Sequence, residues 1–200
     1  MGTGVDIVIH PAWLATGWPG LSETERTLLL GGARVQGRLL QMLAAYHGWA
    51  DGEAVKDGPA AVLAGQSAAA IRDAATLAGA VWHARPIRQL IAAADVEAIN
   101  AAVGGPVRTF ALAHAALAVA PAERVDVPIL ASRIALTGSQ CLAAWLLKLP
   151  PGLRRVVLPK LPPDTVEAVL AGRDRDQGVQ IMHYVARQLD ETVRDAAAGA

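Results

Sequence analysis

The chain has 200 residues, with 18 basic and 18 acidic side chains and a formal net charge of zero. That length suits one compact domain, and a neutral chain lacks the bulk basic character of nucleic-acid or anionic-membrane binders. A single cysteine, Cys141, excludes a disulfide within the chain and suits a reducing compartment.

Hydrophobic residues make up 53 % of the chain and alanine is the commonest. Alanine is the best helix former and β-branched runs are few, so an all-α fold is expected. The chain then divides into an N-terminal arm (1–21), a helical body (22–195) and a short frayed tail (196–200), forming one domain. In the arm, Val5, Ile7 and Ile9 are weakly strand-like, Pro11 and Pro19 break longer structure, and Trp13 and Trp18 are large apolar anchors. These tryptophans can dock the arm on the body or form a patch for a partner.

Ser22 and Glu25 stand in capping-box spacing, which predicts a helix from there to Tyr46 with Leu28, Val35, Leu39, Met42 and Leu43 towards the core. Residues 48–58 read as a polar loop. Pro59 suits a helix start, and Ser67 can cap a second helix running to about Ala84. The stretch Leu77–Leu117 carries the densest punctuation. Pro86 opens a short helix with Ile87, Leu90, Ile91 and Ala94 in helical register. Asp95 caps the next, which stops at Gly104–Gly105, and Pro106 starts a third. Residues 118–128 read as a loop, and 129–148 as a helical pair divided at Gly138. A proline-dense segment spans 150–163, a short helix 163–170 and a charged connector 172–176. A last helix covers about 177–195.

No catalytic or metal-binding constellation emerges. The five histidines, at 10, 47, 83, 114 and 183, include no pair four residues apart, and no HExxH is present. His114 reads as a core histidine, and Cys141 as an inert core thiol. Ser139 and Cys141 sit in TGSQC, which is not a nucleophile elbow. No phosphate-binding glycine motif occurs, and neither a cofactor nor a metal is expected. Arg154, Arg155 and Lys160 lie among leucines and prolines, as a basic rim around an apolar contact would. The first residues lack the charged and apolar regions of a secretory signal. The longest apolar run, Phe110–Ala122, is interrupted by His114 and too short to span a bilayer. The expectation is a cytoplasmic protein.

The residues Ile87-Arg88, Leu90-Ile91, Asp95-Val96, Ile99, Gly104 and Phe110-Ala111-Leu112 follow a recognisable order. With His10-Pro11-Ala12-Trp13-Leu14 and the leucine- and proline-rich stretch Leu149–Pro162, the pattern resembles the SctK family. These are the YscK-, OrgA- and MxiK-type accessory proteins of bacterial type III secretion systems. The resemblance implies a non-enzymatic cytoplasmic adaptor of the sorting platform. It would link an SctQ-like pod protein to the cytoplasmic domain of an SctD-like inner-membrane ring protein, with no nucleic acid and no direct membrane insertion. The contact residues expected on this reading are Trp13, Trp18, Trp82, Trp145, Arg154, Arg155 and Lys160. The alternative is a helical bundle that binds a small ligand or acts as an enzyme. It predicts a pocket of converging polar groups near His83, His114 or His183.

Overall fold

A computed structural model describes residues 8–49, 57–167 and 170–198. Among the described residues there are α-helices and short 3₁₀ turns but no strands, so the fold is all-α. The helices are α1 (Ala12–Gly17), α2 (Glu23–Gly31), α3 (Ala33–Tyr46), α4 (Pro59–Gly65), α5 (Ala68–Trp82), α6 (Ala84–Arg88), α7 (Ala93–Val103), α8 (Gly105–Ala113), α9 (Val127–Lys148), α10 (Pro151–Val157) and α11 (Gly172–Ala198).

The centre is the pair α5 and α9, which cross backbone to backbone. A Cβ on Gly79 would run into the carbonyl oxygen of Ile134 and come within 2.8 Å of the Gly138 nitrogen. A Cβ on Gly138 would run into the carbonyl oxygen of Ala75. The two glycines let the axes approach more closely than side chains would permit. Helix α11 lies against both, with Gly178 set against Cys141. Around this centre, Leu63, Ile71, Val81, Trp82, Leu142, Trp145, Leu146, Val157 and Met182 form the main apolar core. On the other side of α5 and α9, Ile87, Ile99, Ala111, Leu130 and Ile134 join α6, α7 and α8 to it. A third cluster of Ile9, Trp13, Leu14, Leu39 and Leu43 joins α1 to α3.

Several helix starts follow the sequence. The Ser22–Glu25 capping box forms with both reciprocal bonds, and Ser67 accepts from the Ala70 amide at 3.2 Å. Pro59 and Pro106 each occupy a first turn. Other expectations fail for local reasons. The single helix expected from Ser22 to Tyr46 is two, because Gly32 adopts an extended conformation (φ −106°, ψ 115°). The Gln36 side chain stitches that break by donating to the Leu30 carbonyl at 2.5 Å. Leu28, Val35 and Met42, expected in the core, are exposed, while Leu39 and Leu43 are buried. The pair expected at 129–148 is one continuous helix: Gly138 does not break it, since its missing side chain is what admits α5.

Helix α6 ends at Arg88, so Ile91 no longer shares a face with Ile87 and is 85 % exposed. Asp95 is not the cap of α7 but sits in its first turn, where a carboxylate favours the helix dipole. The helix expected at 163–170 is a 3₁₀ turn over Pro163–Val166, and residues 168–169 lie outside the described residues. The connector 172–176 is the first turn of α11, which continues to Ala198 through part of the expected tail. Part of the arm is helical, as α1; its possible strand falls largely on residues 1–7, outside the described residues, as does 50–56 of the polar loop. Helix α9 is long and apolar enough to cross a membrane by length and composition; here it is the central core helix.

Candidate interaction site

The arm is bolted to the proline-dense segment. The His10 amide donates to the Pro159 carbonyl at 2.7 Å. The Trp13 indole Nε1 donates to the carbonyls of Leu161 at 2.7 Å and Leu158 at 3.2 Å. The Trp13 ring meets His47 and Trp49 edge-on, at centroid distances of 4.8 and 5.1 Å. Burial pushes the His47 pKa down. From the same segment, Lys160 Nζ donates to the carbonyls of Ala64 at 2.7 Å and Gln66 at 2.8 Å. A cation thus closes the C-terminal end of α4, where unpaired carbonyls concentrate negative charge. Burial lowers the Lys160 pKa. Trp13 and Lys160 are therefore brought together, as two sides of one knot joining arm, proline segment and α4.

The remaining expected contact residues do not converge with them. Trp145 is fully buried, and Trp82 lies in the main core with its carbonyl accepting from the amides of Val119 and Ala120. Arg154 is half-buried and donates to the carbonyls of Leu147 at 2.6 Å and Leu149 at 3.1 Å, closing the end of α9. Arg155 is half-buried, and Trp18 half-buried against the α1–α3 cluster. Trp13, Trp82, Trp145 and Lys160 offer a partner almost no surface, because each is less than 8 % exposed. Arg154 and Lys160, expected in a basic rim, instead close helix ends.

Two histidine pairs are the nearest approach to a reactive site. His83 Nε2 lies 3.0 Å from Thr137 Oγ1 in the interior. Its pKa is pushed down to about 4, first by burial and then by the Arg133 charge, with Glu123 opposing. His83 is thus neutral at pH 7, and its Nδ1 is buried without a partner among the described residues. His114 Nδ1 lies 3.0 Å from the Tyr184 hydroxyl, and the Arg187 guanidinium sits 5.2 Å from the Tyr184 ring centroid. Beside that ring, a cavity of about 600 Å³ is bordered by Asp57, Gln180, His183, Tyr184 and Arg187. Burial lowers the His183 pKa and raises that of Cys141 to about 12, leaving the thiol protonated. Among the described residues no group of three or more His, Cys, Asp or Glu side chains is placed to hold a metal ion.

The exposed large apolar residues are more informative. Leu28 is 72 % exposed, Val35 38 %, Met42 42 % and Tyr46 69 %, so α2 and α3 each expose large apolar side chains. Expecting Val35 and Met42 in the core missed this. The signal lay in the width of the apolar arc on α3: Val35, Leu39, Met42 and Leu43, with Tyr46, cover more of the helix than one packing face needs.

The fold and its surface define an all-α protein with a glycine-packed central helix pair and an outlying apolar helical layer. Compared with known proteins, the chain is 34 % identical over 154 residues to nodulation protein NolU of Rhizobium fredii. The same identity relates it to nodulation protein NolU of Sinorhizobium fredii (strain NBRC 101917 / NGR234). Each match covers 76 % of this chain and 70 % of the relative, and the chain belongs to the NolU family. No family model matches, and no solved structure does.

Proposed function

We propose that this protein is a non-enzymatic adaptor of a bacterial type III secretion sorting platform. It would work at the cytoplasmic face of the inner membrane, linking an SctQ-type pod protein to the cytoplasmic domain of an SctD-type ring protein. The observation that carries the reading is the helix punctuation between residues 77 and 117, on which the likeness to the SctK family rests. In the fold it becomes the end of α5 followed by α6, α7 and α8, short helices packed on one side of the central pair. Membership in a family that includes the nodulation protein NolU supports a type III secretion-related role. The apolar surface of α2 and α3 supports a protein that works by contact. Docking falls to exposed surface, since the tryptophans at 13, 82 and 145 are committed to the core.

The test is co-purification of the full chain, from its own bacterium, with the SctQ-type and SctD-type proteins of the same apparatus. Recovery of both in one complex is the expected result. Recovery of neither, with the protein folded and expressed, overturns the reading.

A further inference from the structure

Helix α3 carries an apolar stripe along its length, most of it open to solvent. Val35, Leu39, Met42 and Tyr46 follow one another at intervals of four, three and four residues, the spacing that keeps side chains on one stripe facing a second helix. Leu39 is 6 % exposed and forms the floor. Val35, Met42 and Tyr46 stand open above it at 38, 42 and 69 %. One edge of the stripe is closed by Leu43, which is buried. The other edge carries Arg38, one turn from both Val35 and Met42, with Arg34 a turn before it; both arginines are exposed. From Ala33 to Tyr46 the helix has no carboxylate. Methionine and tyrosine supply adaptable and amphipathic contact area, as recurs at protein interfaces.

We propose that this face of α3 is a docking seam for an amphipathic helix of a partner protein whose apolar stripe is flanked by acidic residues. The charge argues for that occupant. An acidic flank would pair with Arg34 and Arg38, whereas a two-fold contact with a second copy of this chain would set one basic edge near another. The inference rests on the adaptor reading only for where the partner comes from; the seam stands on the geometry of α3.

The experiment uses the full chain and two synthetic amphipathic helices of about four heptads, identical in their leucine and isoleucine stripe. One carries glutamate at the flanking positions and the other lysine. The glutamate helix should bind at least about tenfold more tightly, and high salt should erase the difference because it screens exposed charges. Met42→Asp should abolish binding while leaving the circular dichroism spectrum unchanged, since that side chain is already partly in water. The double variant Arg34→Glu, Arg38→Glu should reverse the preference towards the lysine helix. Equal binding of the two helices, no binding, or binding indifferent to Met42→Asp overturns the proposal. So does a discrete two-fold dimer of the protein alone, as distinct from weak non-specific adhesion, that Met42→Asp dissolves. A failure here leaves co-purification with the secretion proteins unaffected, and a failure there leaves the peptide preference standing, so the two readings fall separately.

Discussion

Gly79 and Gly138 show how much of this fold hangs on single atoms. Each faces backbone of the opposite helix, and an added methyl has no flexible neighbour to displace. Gly79→Ala and Gly138→Ala should each cost about 3 kcal/mol or more by overpacking, lowering the melting temperature by roughly 6–12 °C. Gly37, on the exposed side of α3 with nothing near its missing Cβ, should behave in the opposite sense. Gly37→Ala is expected to stabilise by about 0.5–1 kcal/mol, through helix propensity and a less flexible unfolded chain. Thermal unfolding of the three variants side by side is the check; equal effects would mean that α5 and α9 do not meet as described. His83 makes the second residue-scale prediction. Its pKa is near 6.5 in the unfolded chain and about 4 when buried beside Thr137 and the Arg133 charge. Between these values the unfolded chain binds a proton that the folded chain does not. Stability is therefore intact above pH 6.5 and falls as the pH drops towards 4, by roughly 2–3 kcal/mol in all. Urea midpoints measured from pH 7 to pH 4.5 should show this slope, and His83→Gln should flatten it relative to the parent.

Among elements, the weakly attached unit is α1 with α2 and α3. Its own cluster is small, and the Trp13 indole and His10 amide tie it to the proline segment. Trp13→Phe keeps much of the ring volume but removes the donor to Leu158 and Leu161. Amides of α1 and α3 should then exchange with solvent at least about tenfold faster, while those of α5 and α9 keep their protection, because sub-globular units open independently. Uniform loss of protection would instead make the arm part of the central cooperative unit. The same elements show what was legible in the sequence. Most helix starts were, because Ser22 with Glu25, Ser67, Pro59 and Pro106 act on amides within a few residues, whereas Asp95 sits inside the first turn of α7 and Pro86 lies inside α6, which starts at Ala84. Glycine was not: Gly32 ends one helix while Gly138 passes through another, and the difference is made by α5, nearly sixty residues away along the chain. The tryptophans were ambiguous for the same reason. Trp13 becomes an anchor through carbonyls 145 and 148 residues along the chain, a pairing that no local pattern announces. The seam on α3 was half legible. Its apolar spacing was plain, but which part of the arc faces the body depends on where α1 packs.

At the scale of the whole molecule, a formal net charge of zero and a pI near 7.0 meet an outlying apolar surface on α2 and α3. Without net repulsion, molecules approach freely near neutral pH, and the exposed Leu28, Met42 and Tyr46 give them something to adhere by. The purified protein should therefore self-associate weakly near pH 7, with a negative second virial coefficient in light scattering. Surface substitutions at pH 7 are more informative than a pH scan, because on the acid side the loss of stability through His83 exposes further apolar surface, and on the alkaline side a chain whose basic residues are mostly arginine gains little net charge. Leu28→Lys with Tyr46→Lys should raise solubility at pH 7 in two ways, adding charge and removing the adhesive surface. The neutral pair Leu28→Gln with Tyr46→Gln separates the contributions. If it restores most of the solubility, the apolar surface is the cause, as expected for a layer that a partner helix covers. If only the lysine pair helps, self-association is a matter of net charge alone, and the exposed face of α2 and α3 is not adhesive in the way its composition requires.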